Sequence, residues 1–179
     1  MDQVFAPWRI EWVERDDPDV DVECVFCDLP AREDDRENRV VARNDHAYVL
    51  LNNYPYNPGH AMVIPFDHTG DYRDLDETTL LGHARLKQRT FDALEAALGP
   101  DAFNAGLNLG GGAAGGSIDD HLHTHVVPRW EGDTNFMPVV SDTQVIVEAI
   151  ADTYERLHEA FAGQDGAVVA DEDTAVAFD

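Results

Sequence analysis

The chain has 179 residues, enough for one full core and too few for two, and its 44% apolar content excludes disorder as the default state. Its 36 acidic residues against 12 basic ones leave a formal net charge of −24, which argues against non-specific binding to nucleic acid or anionic membranes. No stretch approaches the roughly 18 apolar residues of a membrane span, and residues 1–10 lack a basic region followed by an apolar run, so a cytoplasmic location is expected.

Acids cluster at residues 14–21, 33–37 and 71–77 as well as near the end, so the excess is global, and Lys87 is the only lysine. Such a composition resembles proteins of salt-accumulating halophiles, in which molar salt screens the self-repulsion of the folded state. The charge therefore speaks of habitat, and any polyanionic substrate has to meet locally arranged donors.

Residues 1–30 read as irregular, with Trp8, Trp12, Val22 and Phe26 available to pack. Cys24 and Cys27 form a C-x-x-C pair, which in a reducing compartment suggests metal or redox chemistry. Residues 40–42 and 47–51 read as strands around an Asn44-Asp45 turn, residues 52–59 (NNYPYNPG) as loop, and residues 60–65 as a further strand. Asp74-Leu-Asp-Glu77 has capping-box form ahead of a helical stripe of Leu80, Ala84, Phe91, Leu94 and Leu98, which Gly99-Pro100 ends. A strand over 103–109, a glycine-rich loop over 110–116 and a strand over 121–127 follow. Ser141-x-x-Gln144 opens a second helix carrying Ile146, Ile150, Tyr154, Leu157 and Phe161, and residues 163–179 read as an acidic flexible tail. These elements predict one α+β domain over residues 1–162: an antiparallel meander of about five strands, one long helix, and a C-terminal helix over about 141–162.

The sharpest feature is His121-Leu122-His123-Thr124-His125. At strand period the three imidazoles line one face, and three adjacent rings cannot all be core residues without dedicated partners. Imidazole near neutrality serves as nucleophile, proton carrier or metal ligand. Upstream, Asn108 and the run Gly110-Gly-Gly-Ala-Ala-Gly-Gly-Ser117 offer backbone N–H groups suited to phosphate oxygens. Gly110-x-Gly112-x-x-Gly115 imitates a dinucleotide fingerprint, but that motif requires a helix after the loop and here a strand follows. His46, His83 and His158 read as surface or partly buried packing residues. Arg129 either meets distal phosphates or forms a structural ion pair.

The glycine loop, HLHTHVV and Pro128-Arg129-Trp130 together resemble the signature of the histidine-triad (HIT) family, and LNNYPYNPGHAMVIP followed by His68 resembles that family's other diagnostic stretch. The resemblance covers roughly residues 24–140. It implies that His123 is the nucleophile of a nucleotidyl-histidine intermediate, and that His125 binds phosphate and assists the leaving group. It places Asn52, His60, Asn108, Gly115, Gly116 and Ser117 around the nucleotide, with Asn52 standing where a ribose-binding Asp is common. Thr124 occupies a usually apolar position and points away from the site. The resemblance also implies a structural zinc on Cys24, Cys27, His68 and His121, and a homodimer joined edge to edge through its sheets. Within the family the chain is most similar to members that cleave diadenosine tetraphosphate, with water or phosphate as second nucleophile. The competing reading is a non-catalytic nucleotide- or metal-binding module.

Overall fold

The computed structural model describes residues 22–114, 118–133 and 149–179. The expected helix start at Ser141-x-x-Gln144 and the packing of Trp8 and Trp12 lie outside the described residues.

Three α-helices and seven strands, with three short 3-10 turns, are present among the described residues. They run α1 (Val25–Asp28), β1 (Val40–Arg43), β2 (Ala47–Leu51), β3 (Ala61–Pro65), α2 (Glu77–Leu98), β4 (Ala102–Gly106), β5 (Thr124–Arg129), α3 (Ile150–Ala162), β6 (Ala167–Val168) and β7 (Val176–Phe178). The strands form one sheet in the order β4-β5-β3-β2-β1-β7-β6. No helix among the described residues is long and apolar enough to cross a membrane.

The sheet corrects the five-strand antiparallel meander. It has seven strands and is mixed, because β7 runs parallel to β1 with Ala42 opposite Val176. Residues 163–179 are therefore not a loose tail: Ala175, Val176 and Phe178 are buried, and the Asp35 carboxylate accepts from the Ala175 N–H at 2.9 Å. The short apolar run Ala175–Phe178 sits inside an acidic segment, so average composition concealed it.

Helix α2 starts at Asp76, whose carboxylate accepts from the Thr79 N–H at 2.7 Å, two residues after the capping box read from the sequence. It ends at Gly99, which adopts φ 60°, a left-handed cap that glycine takes at no steric cost. Its buried residues are Thr79, Gly82, His83, Leu86, Thr90, Ala93 and Leu94, a stripe rotated from the one expected, while Phe91 and Leu98 pack at its margin. His83 is fully buried rather than superficial.

Each strand buries both faces in the centre of the sheet, and the two faces do different work. Val41, Val49, Leu51, Val63 and Val126 meet Leu86, Leu94, Leu157 and Phe161 of the helices. Full burial of such a side chain stabilises by about 1.5–3 kcal/mol, so this layer holds the fold together. Val40, Tyr48, Leu50, Met62 and Ile64 face the other way, against Cys24, Phe26 and Ala175. Phe26 on that second face packs on the rings of His121 and His123.

Candidate active site and metal centre

Helix α1 is a single turn that brings Cys24 and Cys27 to the same side, with the Cys27 N–H donating to the Cys24 carbonyl at 3.2 Å. The Tyr48 hydroxyl donates to the Phe26 carbonyl at 2.6 Å and holds this turn on the sheet. His68 arrives on the loop after β3, and His121 on the segment leading into β5. Cys24, Cys27, His68 and His121 place their ligand atoms within 4.8 Å of one another. Cys24 Sγ lies 3.3 Å from His121 Nδ1, and Cys27 Sγ lies 3.2 Å from His68 Nδ1 and 3.5 Å from His121 Nδ1.

This set fits zinc. Ligand atoms of a tetrahedral Cys2His2 zinc lie about 3.3–3.8 Å apart, and the three sulfur–imidazole distances of 3.2–3.5 Å come close to that spacing. The ring orientations fit too: His121 Nε2 donates to the Pro65 carbonyl at 2.9 Å, which leaves the lone pair on Nδ1, facing the sulfurs. His68 Nε2 faces the Asp120 carboxylate at 3.9 Å. Burial holds the His121 imidazole neutral, while the Pro65 carbonyl opposes it. Burial, then the Cys24 neighbour, then Asp120 and Glu23 push the Cys27 thiol up to about 11. A divalent cation reverses that preference by binding thiolate.

The strand ladder begins at Thr124, not at His121 as the sequence pattern suggested. The Leu122 N–H donates instead to the Thr69 carbonyl at 2.7 Å, so the His68 loop replaces the ladder at this point. A Cβ on Gly70 would sit 2.4 Å from the Asp119 carbonyl oxygen, which makes that close approach possible only for glycine. His121 and His123 nonetheless share a face, since Phe26 packs on both rings, with centroids at 5.7 and 5.1 Å.

Hydrogen bonding sets the tautomers of the remaining rings. His123 Nδ1 lies 2.9 Å from the His121 carbonyl, which can only accept; the hydrogen is on Nδ1 and the lone pair of the neutral ring on Nε2. His60 Nδ1 accepts from the Tyr56 N–H at 3.1 Å, so its hydrogen is on Nε2 and points at His125 Nδ1, 2.9 Å away. His125 in turn carries its hydrogen on Nε2. The His123 and His125 rings meet edge to face at 4.9 Å. A ring nitrogen bearing a lone pair thus stands beside a ring that bears an N–H.

The neighbourhood of these rings contains residues the sequence reading passed over. Asn57 donates to the Pro128 carbonyl at 2.9 Å and to Asp133 at 2.8 Å, tying the His60 loop to the end of β5. Gly59 has φ 77°, and a Cβ there would lie 2.3 Å from Leu98 Cδ1. An Asn-Pro-Gly turn directly before a histidine was the available signal. Arg129 resolves to the ion-pair alternative: it grips Asp133 at 2.6 and 2.9 Å and Asn104 at 2.7 Å. That pairing pulls the Asp133 carboxyl down to about 2.

Asn52 is buried beside this cluster; its Oδ1 accepts from the Tyr54 N–H at 2.8 Å and its Nδ2 lies 3.5 Å from Met62 Sδ. Asn108 is exposed after β4, and Gly111–Ala114 forms a single 3-10 turn. Gly115, Gly116 and Ser117 lie outside the described residues.

A family model described as the HIT domain matches residues 33–132. An AP-4-A phosphorylase of Mycobacterium tuberculosis is 35% identical over 170 residues, which cover 92% of this chain and 86% of that protein. An adenylylsulfatase of Arabidopsis thaliana is 32% identical over 114 residues, 62% of this chain and 54% of that protein. Among solved structures, a zinc-bound histidine triad family protein from Mycobacterium smegmatis aligns with a TM-score of 0.62 at 28% identity, covering 78% of this chain and 94% of that one. With more than half of its residues matched by the family model and a long relative above 30% identity, the chain belongs to the HIT family.

Proposed function

We propose that the chain is a nucleotide hydrolase or transferase that cleaves at the α-phosphate of a dinucleoside polyphosphate or nucleotide conjugate, with His123 as nucleophile. The observation that carries this reading is the set of tautomers: a lone pair on His123 Nε2 beside a hydrogen on His125 Nε2. In the first step Nε2 of His123 bonds to phosphorus and the bond from phosphorus to the leaving oxygen breaks, its electron pair staying on that oxygen. His125 donates a hydrogen bond to the oxygen as charge develops. The positive charge gained by the His123 ring is stabilised by its Nδ1–H bond to the His121 carbonyl. In the second step an incoming oxygen nucleophile bonds to phosphorus and the electron pair of the P–N bond returns to Nε2.

Asn52, His60, Asn108 and the backbone of residues 115–117 make up the nucleotide-binding set in this reading. A zinc held by Cys24, Cys27, His68 and His121 supplies a structural cross-link rather than reaction chemistry. The mycobacterial AP-4-A phosphorylase supports a diadenosine tetraphosphate-type substrate. Phosphate as second nucleophile yields ADP and ATP, and water yields AMP and ATP. Strand β4 lies at the edge of the sheet with Ala102, Asn104, Ala105 and Gly106 exposed, which supports homodimer formation along it.

The test is incubation with diadenosine tetraphosphate, with and without inorganic phosphate, followed by nucleotide chromatography. His123→Ala abolishes turnover while retaining nucleotide binding and one zinc per chain. Undiminished turnover in that variant overturns the mechanism. A wild-type chain that binds nucleotide without turnover belongs to the competing class of binding modules.

A further inference from the structure

We infer that His83, on the helix-covered side of the sheet, is a positioning residue for His123 and His125. This inference rests on the reading of those two residues as the catalytic pair.

His83 is 2% exposed, in the middle of the α2 face that packs on the sheet. Its Nε2 lies 3.3 Å from the Val63 carbonyl and 3.1 Å from the Thr124 hydroxyl. A carbonyl only accepts, so Nε2 carries the hydrogen and the two oxygens share it. Val63 and Thr124 are register partners, and theirs is the terminal rung of the β3–β5 pairing. Beyond it the chain leaves the ladder toward His123 and His121. Thr124 is also the residue between His123 and His125. One imidazole therefore joins α2, β3 and β5 at the rung that both catalytic rings flank.

Packing alone does not call for a histidine here. His83 Nδ1 is buried with no hydrogen-bond partner among the described residues, and a leucine would fill much of the same space without that penalty. Thr124 is the matching anomaly, a hydroxyl at a core-facing strand position between Leu122 and Val126, and it is 3% exposed. The Thr124 hydroxyl meets the His83 Nε2–H, while His83 Nδ1 stays unpaired among the described residues. Because successive side chains of a strand point to opposite faces, turning Thr124 about the strand axis swings the rings on either side of it. The clamp thereby holds His123 Nε2 in line for phosphorus and keeps His125 within reach of His60.

The test compares His83→Leu, His83→Gln, Thr124→Val and Thr124→Ser in the full chain, all zinc-loaded, with kcat and KM on diadenosine tetraphosphate, zinc content, thermal unfolding and the imidazole N–H resonances of His123. Misaligned reacting groups lose rate rather than binding, so His83→Leu and Thr124→Val are expected to lower kcat about tenfold or more with KM within about twofold. Gln, whose amide nitrogen reaches the place of Nε2, and Ser, which keeps the hydroxyl, restore most of the loss. The double variant His83→Leu/Thr124→Val is no slower than the worse single one. Wild-type kcat in the folded Thr124→Val chain, or additive losses in the double variant, overturns the inference. If His83→Leu does not fold, Thr124→Val carries the comparison alone. If the wild type shows no turnover at all, the proposed function has failed. The His123 Nδ1–H resonance then decides separately: a shift in Thr124→Val that Thr124→Ser lacks supports the clamp, and an unmoved resonance overturns it.

Discussion

Acid destabilises this fold through His83 in a way that can be worked out in advance. Burial holds its imidazole down to about 4, with the nearby Lys87 ammonium acting in the same direction and the Val63 carbonyl against it, from 6.5 in the unfolded chain. Above 6.5 the ring is neutral in both states and contributes no pH dependence. Between 6.5 and about 4 only the unfolded chain binds the proton, so stability falls as pH falls. The whole interval corresponds to ~3 kcal/mol, of which about 2 kcal/mol has been lost by about pH 5. The assay is urea unfolding at about pH 7.5 and about pH 5 for the wild type and His83→Leu, both stripped of metal so that protonation of the cysteine and histidine ligands is common to the two chains. Between these conditions the wild type is expected to lose about 2 kcal/mol more than the variant. Equal losses refute the assignment of a buried neutral His83.

Two further perturbations probe the parts that position the site. Asp35→Ala strands Arg43 and the Ala175 N–H together, so stability falls by about 2 kcal/mol, below the range for a fully buried pair because Arg43 is part exposed, and amide exchange at residues 175–178 accelerates first. Gly70→Ala forces a Cβ against the Asp119 carbonyl and displaces the lead-in to His121; turnover falls about tenfold or more and zinc binds more weakly, as read by a chelator competition titration.

The chemistry of this chain is legible in its sequence because it is local. Three histidines at alternate positions, a glycine-rich loop before them and a C-x-x-C pair each declare themselves within a few residues. Helix α2 is equally local: a capping aspartate, a run of helix formers and a terminal glycine mark both ends to within two residues. The buried face of that helix was less legible. Thr79, His83 and Thr90 face the core although their side chains are polar, because oxygen partners await them on Asp67, Val63, Thr124 and Leu86.

What the sequence by itself determined is the inventory and its order: an α+β chain with a C-x-x-C pair, a glycine-rich loop and a run of three histidines. Only the tertiary structure decided which nitrogen of each histidine ring carries hydrogen. The His121 carbonyl, the Tyr56 N–H and the Pro65 carbonyl choose which nitrogen of each ring bears hydrogen, and two of these three groups lie far from the triad along the chain. It likewise decided that residues 175–178 form a strand, since a short apolar run in an acidic segment becomes a strand only when β1 offers an edge and Asp35 an acceptor. Side-chain chemistry is written residue by residue, whereas tautomer, register and partner are properties of contacts between residues distant in sequence.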